Sequence, residues 1–142
     1  MLTDFEFTSL NPQKLTVLDL RNNDFLKRDL SCFAQFVNLT ELLIGTNERR
    51  AATRTTHRFY NRFYGSLEPL KLLVNLERLD ISGTDVDSGL EYLPKESLKE
   101  INCSTNGRID AKVEKIEQLV KGFKNEHFKK KIDVGLIQSQ FG

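Results

Sequence analysis

The apolar residues of this chain recur in one fixed order at four places. In each place, two aliphatic residues stand three positions apart, a third apolar residue follows two positions later, and a small polar residue comes three positions after that. The four units are Leu15-Leu18-Leu20-Asn23, Leu39-Leu42-Ile44-Asn47, Leu76-Leu79-Ile81-Thr84 and Leu98-Ile101-Cys103-Asn106. A pattern that returns about every 20–50 residues is typical of a repeat protein, in which each unit buries its apolar face against the next.

The centre of each unit alternates apolar and polar residues, as in Leu18-Asp19-Leu20. This period of two predicts a short strand with one buried face. Because every unit is followed by a return segment and re-enters with the same polarity, the strands are predicted to run parallel. The inward residues of neighbouring strands should then lie side by side; these are Leu18, Leu42, Leu79 and Ile101.

The return segments carry apolar residues three positions apart, which predicts helical or 3₁₀ turns on the side opposite the strands. The residues are Leu30, Phe33 and Phe36 in one segment and Leu67, Leu70 and Leu73 in another. The polar residue that ends each unit is expected to hydrogen-bond backbone groups that the turn would leave unpaired. Asn23, Asn47 and Asn106 are predicted to do so, with Thr84 giving a looser turn in the third unit.

The spacing of the units predicts an insertion in the second one. The first and third steps between units are 24 and 22 residues, whereas the second step is 37, and the surplus falls at residues 48–60. The chain is otherwise predicted to be a single domain at 1–131, with an N-terminal cap at 1–14, four repeats at 15–109 and a tail at 132–142.

A helix at 111–123 is predicted to cover the last repeat. Asp110 is a candidate N-cap for this helix. One helix face is apolar, and it consists of Val113, Ile116, Leu119, Val120 and Phe123. Phe5, Phe7 and Leu10 are expected to cover the opposite end of the stack.

Composition narrows the functional classes. The net charge is +1 over 142 residues, so the molecule as a whole carries no field that would favour nucleic acid or an anionic membrane. No apolar run reaches the roughly 20 residues of a membrane span, and Asp4 and Glu6 stand where a secretion signal would carry positive charge. Two cysteines, Cys32 and Cys103, fall short of the disulfide framework of exported repeat domains. We expect a cytoplasmic protein.

The outward residues of the predicted strands are the first candidate for binding a protein partner. Eight of them are candidate contact residues: Asp19, Arg21, Glu41, Leu43, Arg78, Asp80, Glu100 and Asn102. Leu43 is the aliphatic member of this otherwise polar set. It is expected either to anchor a partner at the centre of an interface or to be one of the exposed leucines that any protein has.

The insertion and the residues just after it are the second candidate, because arginines stand beside aromatic residues there. The candidate arginines are Arg49, Arg50, Arg54 and Arg58, and the aromatic residues are Phe59, Tyr60, Phe63 and Tyr64. This combination suits acidic or phosphorylated peptides and single-stranded nucleic acid. The alternative is a solvated loop whose aromatic rings, Phe63 in particular, pack back onto the core.

Nothing in the sequence predicts catalysis, a cofactor or a metal site. The two histidines, His57 and His127, are 70 residues apart in polar stretches. No nucleophile elbow, phosphate-binding loop, kinase-type motif or paired metal-ligand spacing occurs. The sequence therefore favours a non-enzymatic binding protein, which we expect to be a monomer.

The four units resemble the leucine-rich repeat superfamily over about residues 10–109. The stretch NRFYGSLEPLKLLVNLERLDISGTDVDSGLEYLP also resembles intracellular leucine-rich repeat proteins of soil fungi. The resemblance implies an α/β fold: a short solenoid with a curved parallel sheet on its concave face, helical or 3₁₀ segments on its convex face, and a C-terminal capping helix. It also implies a protein-recognition scaffold, either complete or the recognition fragment of a larger signalling protein.

Overall fold

The structure, a computed structural model, describes residues 7–46 and 60–121. Within these ranges the strands are β1 (Val17–Asp19), β2 (Glu41–Leu43), β3 (Tyr64–Ser66), β4 (Arg78–Asp80), β5 (Asp85–Ser88) and β6 (Glu100–Asn102). Short 3₁₀ turns occupy Phe7–Ser9, Ser31–Phe33, Glu68–Leu70 and Leu90–Tyr92, and an α-helix, α1, covers Glu114–Lys121.

The main sheet consists of β1, β2, β4 and β6 in that spatial order, and all its neighbouring strands are parallel. Leu18 pairs with Leu42, Leu42 with Leu79, and Leu79 with Ile101. All four side chains are buried, and each such burial contributes about 1.5–3 kcal/mol. The prediction of parallel strands with these residues side by side is confirmed.

The return segments contain a second, smaller sheet that the sequence did not predict. β3 and β5 pair in parallel, with a register shift between Gly65 and Ser66, and an isolated bridge joins Arg28 to Phe63. The predicted 3₁₀ turns are present at Ser31–Phe33 and Glu68–Leu70. The return segments are therefore partly extended and partly 3₁₀, rather than helical throughout.

Aromatic side chains fill the space between the main sheet and the return segments. The ring of Phe63 lies 5.3 Å from that of Phe33 and 5.9 Å from that of Phe25, measured between ring centroids. Phe7 meets Phe33 edge-on at 5.4 Å, so it covers the first repeat as predicted, whereas Phe5 lies outside the described residues. Phe63 is fully buried, which confirms the prediction that its ring packs onto the core.

Polar side chains close the turns after the first and third strands of the main sheet. The Asn23 amide donates to the Leu20 carbonyl oxygen at 3.0 Å. The Thr84 hydroxyl donates in the same way to the Ile81 carbonyl oxygen at 2.7 Å. Threonine therefore replaces asparagine in the third unit with an equivalent bond across three residues.

In the second unit, Asn61 makes the turn-closing bonds predicted for Asn47, which lies outside the described residues. The fully buried Asn61 amide donates to the carbonyl oxygens of Leu20 at 2.8 Å and Ile44 at 3.0 Å. Its backbone N–H donates to the Thr46 hydroxyl at 3.1 Å. The insertion therefore leaves the repeat after Thr46 and returns to it just before Asn61.

The C-terminal helix and the residue before it pack one face into the core. Val113, Ile116 and Val120 are buried in the core, whereas Leu119, predicted to share their face, is 56% exposed. The prediction that Asp110 is the N-cap is wrong, because α1 begins four residues later and Asp110 instead pairs with Arg108 at 3.4 Å. Residues three apart are neighbours on a helix surface, so Leu119 lies next to Ile116 at the border of the buried face, where its side chain remains exposed.

No helix within the described part of the chain is both long enough and apolar enough to span a membrane.

Cys103 is buried at the inward strand position predicted for it.

Candidate partner-binding face

The outward side chains of the main sheet lie in three rows because the four strands are in step. The first row is Val17, Glu41, Arg78 and Glu100, and the second is Asp19, Leu43, Asp80 and Asn102. Backbone hydrogen bonds continue the register beyond the strands and give a third row of Arg21, Gly45, Ser82 and Ser104. We call these twelve positions the strand face.

The first row is a ladder of ion pairs on the open surface. Arg78 bonds Glu41 through Nη1 at 3.1 Å and Glu100 through Nε at 3.3 Å. The three side chains are between 32% and 42% exposed, so each pair stabilises the fold by no more than about 1 kcal/mol. The pairs do, however, hold three charges at fixed positions on the surface.

A shallow depression adjoins the first row at the end where the strands begin. Its volume is about 210 Å³, and its lining residues are Thr40, Glu41, Glu77, Arg78, Lys99 and Glu100. Lys99 pairs with Glu77 at 2.7 Å. Three glutamates and two cationic residues thus line one depression, which gives it a net negative charge. Sequence reasoning missed Thr40, Glu77 and Lys99, because they precede the alternating residues that reveal the strands.

The second and third rows are tied together by Arg21. Its guanidinium contacts Asp19 at 2.8 Å and Asp80 at 3.8 Å. Because Asp19 and Asp80 flank Leu43 in the register, the guanidinium has to extend over β2 to reach both. The centre of the second row is therefore covered by a side chain of the first repeat.

Gly45 leaves the room that this arrangement needs. A Cβ atom on Gly45 would lie 2.3 Å from Asp80 Oδ1 and 2.6 Å from the Ser82 backbone nitrogen. In the native chain Asp80 Oδ1 accepts hydrogen bonds from the Ser82 hydroxyl at 2.6 Å and from the Ser82 N–H at 2.9 Å. A glycine at this position is therefore required by close packing.

Leu43 and Asp80 are only 3% and 4% exposed, although both point outward on their strands. The prediction that Leu43 is exposed, whether as an anchor or as an ordinary surface leucine, is therefore wrong. Leu43 also lies outside the main apolar cluster, which agrees with its place on the other side of the sheet. Both residues are left out of the contact surface proposed below, whereas Asp19, Glu41, Arg78, Glu100 and Asn102 remain accessible.

The two aspartates that share Arg21 have pKa values shifted in opposite directions. The Arg21 side chain, by hydrogen bonding, lowers the pKa of Asp19. Burial raises the pKa of Asp80, and this outweighs the hydrogen bonds from Ser82 and the charge of Arg21. Hydrogen bonding to Asp19 in turn raises the pKa of Arg21, so Arg21 remains a cation.

The residues at which the insertion returns are held by stacked cations. The Tyr60 ring lies beneath the guanidinium carbons of Arg108, at 3.9 Å, and Arg62, at 4.7 Å. Arg108 is buried, bonds the Gly83 carbonyl oxygen at 2.8 Å and pairs with Asp85 at 2.9 Å. The role of Arg108 could not be predicted from the sequence, because Arg108 is distant from Tyr60 along the chain and no motif links the two residues.

The four candidate arginines of the insertion, Arg49, Arg50, Arg54 and Arg58, lie outside the described residues, and so do both histidines. Across residues 7–46 and 60–121, no group of three or more His, Cys, Asp and Glu side chains is arranged to hold a metal ion.

In a comparison with known families, residues 14–36 match the family model described as Leucine Rich Repeat. These residues contain β1, the turn closed by Asn23 and the first 3₁₀ turn after it. Comparison with curated proteins and with solved structures gives no match.

Proposed function

We propose that this chain is a leucine-rich repeat protein and a non-enzymatic scaffold that binds a protein partner on its strand face. The match of residues 14–36 to the Leucine Rich Repeat model supports the family. Leucine-rich repeats commonly mediate protein–protein interaction. The observation that supports this face above all is its first row, in which fixed charges and an exposed Val17 stand side by side on four parallel strands.

The chemistry of the accessible part of the strand face favours a partner with a positively charged surface. The acids Asp19, Glu41 and Glu100 outnumber the bases Arg21 and Arg78 by one. Val17, which is 45% exposed, adds an apolar contact at the β1 edge. Charges that are already held in place lose little side-chain freedom on binding, which lowers the entropic cost of association.

The proposal includes a curved solenoid with the strand face on its concave side, and a contribution from the insertion. Four short strands offer roughly 250 Å², whereas a standard interface uses about 800 Å² per partner. Thr46 and Asn61, which flank the insertion, are joined by a hydrogen bond of 3.1 Å, and Thr46 directly follows Gly45 of the third row. This position of the two flanking residues supports a contribution of the insertion to the contact area. We further propose a monomer that acts in the cytoplasm, alone or as the recognition part of a larger signalling protein.

Site-specific photocrosslinking of the full chain tests this proposal. A photoreactive residue is placed at Val17 or Glu100 on the strand face, and at Leu72 or Leu119 as matched exposed controls away from it. In an extract of the cells that make the protein, the strand-face positions should crosslink to a common partner, and the control positions should not. Crosslinking of one partner from the controls alone would contradict the proposal.

Deletion of residues 47–60 tests the contribution of the insertion. The deletion restores the offset of Leu39, Leu42, Ile44 and asparagine, because Asn61 then follows Thr46 directly. The shortened chain should remain folded and should bind the crosslinked partner more weakly. Unchanged affinity would remove the insertion from the contact surface and leave the strand face as the binding site.

The described residues do not favour the nucleic-acid alternative. Phe63 is buried, and the Tyr60 ring already contacts the guanidinium groups of Arg62 and Arg108. Phe63 is therefore not accessible to a base, and Tyr60 already uses its ring in cation–π contacts. Titration with single-stranded RNA and DNA at two salt concentrations decides the matter. Affinity that falls steeply between about 50 and 200 mM salt would favour it.

A further inference from the structure

We infer that the depression beside the first row receives a lysine side chain of the protein partner. The inference rests on the proposed function, since it names what the strand face recognises. It follows from three observations: the size of the depression, the carboxylate oxygens that its ion pairs leave available, and the exposed apolar residue at its border.

The size of the depression suits one side chain. Its volume is about 210 Å³, which is below the roughly 300–1,000 Å³ of sites that enclose a small-molecule ligand. It is open to solvent along the surface of the sheet, so a side chain that projects from a partner surface can enter it without any movement of the strands.

Each glutamate of the depression uses one carboxylate oxygen in the ion pairs of the lining. Glu41 uses Oε1 and Glu100 uses Oε2, both toward Arg78, and Glu77 uses Oε1 toward Lys99. The second oxygen of each accepts no hydrogen bond from any residue in the described ranges. Three acceptors on three different carboxylates therefore remain beside a depression whose net charge is negative.

This arrangement of acceptors favours lysine over arginine. A guanidinium gains most when its planar fork meets both oxygens of one carboxylate, but each glutamate has already committed one of its two. An ammonium group has three donors around a compact charge. It can therefore bond single oxygens from separate carboxylates.

Val17 supplies a surface for the aliphatic part of a lysine side chain. It is the direct neighbour of Glu41 across β1 and β2, and it is 45% exposed. Lysine characteristically lays its methylene stem along apolar surface while its charge reaches a polar partner. Val17 can therefore contact the methylene stem of a lysine while the nearby carboxylate oxygens accept hydrogen bonds from its ammonium group.

Binding of a short peptide to the isotope-labelled full chain tests the inference without knowledge of the partner. The probe is acetyl-Gly-Lys-Gly-amide, and the comparison peptides carry Nε-acetyl-lysine or arginine at the centre. The lysine peptide should shift the backbone amide resonances of residues 40–41, 77–78 and 99–100 saturably at millimolar concentration. The acetylated peptide should shift none of them, and the arginine peptide should bind more weakly.

A matched pair of variants checks that the depression is responsible. Glu41→Gln with Glu77→Gln removes two of the carboxylates and should weaken lysine-peptide binding about threefold or more. Glu91→Gln with Glu114→Gln makes the same change of charge at exposed positions elsewhere and should leave the affinity unchanged. The amide spectra of both variants report whether they are folded.

Three results would overturn the inference: resonance shifts centred elsewhere, equal binding of the acetylated peptide, or equal loss of affinity in both variants. Its failure is distinguishable from that of the proposed function. If the partner crosslinks at Val17 or Glu100 but the lysine peptide does not bind, only the inference that the depression receives a lysine is rejected. If the lysine peptide binds but no partner crosslinks from the strand face, the proposal that the strand face binds a protein partner is rejected.

Discussion

The first row of the strand face and the two rows beyond it use the same outward strand positions in different ways. In the first row, Arg78 pairs with glutamates on the adjacent strands, and all three side chains remain accessible. In the second row, Leu43 and Asp80 are buried although they point the same way. Direction on a strand therefore does not decide exposure. What lies over the residue decides it.

The difference arises from how far each arginine reaches. Arg78 contacts its immediate neighbours and leaves the surface above the strands open. Arg21 extends past β2 to Asp80, two strands away, and Gly45 leaves the space for the Asp80 side chain. The centre of the second and third rows, around Leu43, Asp80 and Ser82, is therefore buried, whereas the first row is accessible.

The largest contrast between the rows is expected from introducing charge. Leu43→Arg combined with Asp80→Arg forces two cations into buried positions and removes a partner of Arg21. This should destabilise the fold by about 3–5 kcal/mol or more, measured by urea unfolding. The matched change in the first row, Glu41→Gln with Glu100→Gln, should cost no more than about 2 kcal/mol in total. Similar losses in the two variants would contradict the division of the strand face.

A smaller effect is expected from adding one methyl group beneath the Arg21 network. Gly45→Ala places a Cβ against Asp80 and against the Ser82 backbone, which should cost about 1–3 kcal/mol of unfolding free energy. In an Asp80→Ala background the cost should fall but remain, because the Ser82 nitrogen stays within 2.6 Å of the new atom. An unchanged midpoint of unfolding for Gly45→Ala would contradict this prediction, because it would show that the segments at Gly45 and Ser82 can move apart without loss of unfolding free energy.

The smallest effect is a difference in pH dependence between Asp19 and Asp80. Burial raises the folded-state pKa of Asp80 above 3.8, so the folded state binds a proton more tightly than the unfolded state. The stability of the native chain relative to Asp80→Asn should therefore fall as pH rises from about 4 through that raised pKa.

The pKa of Asp19 is lowered by Arg21, so its contribution has the opposite sign. It is present above about pH 4 and is lost as pH falls through the lowered pKa. The stability of the native chain relative to Asp19→Asn should thus rise with pH. Urea unfolding of the native chain and both variants between pH 3 and 7 measures the two slopes, and slopes of the same sign would contradict the opposite environments of the two carboxylates.

The inward side of the main sheet could be predicted from the sequence, but the fate of its outward side could not. A period of two identifies which residues turn inward, and the inward residues of all four units proved to be in register. The same period cannot predict that a long side chain from another repeat covers an outward residue. Leu43 is buried on the side of the sheet where Arg21, a residue of the first repeat, extends over β2 to Asp80.

The β3–β5 sheet and the role of Asn61 were not predicted, because both depend on contacts between residues that are distant in the sequence. β3 and β5 are three and four residues long, too short for an alternating pattern to stand out. Asn47 fits the repeat spacing by itself, and only the path of the chain shows that Asn61 bonds Leu20 and Ile44. The candidate site was likewise predicted in part: Glu41, Arg78 and Glu100 were identified, but the depression beside them was not.

The bond between Thr46 and Asn61 makes the second repeat a natural place for grafting. Foreign peptide can in principle replace 47–60 while the leucine rows stay intact, since the two anchoring residues already meet. Each doubling of a flexible segment's length costs only about 0.6 kcal/mol in closure entropy. Variation in length and composition at this one junction can therefore diversify what the scaffold recognises, with little effect on how it folds.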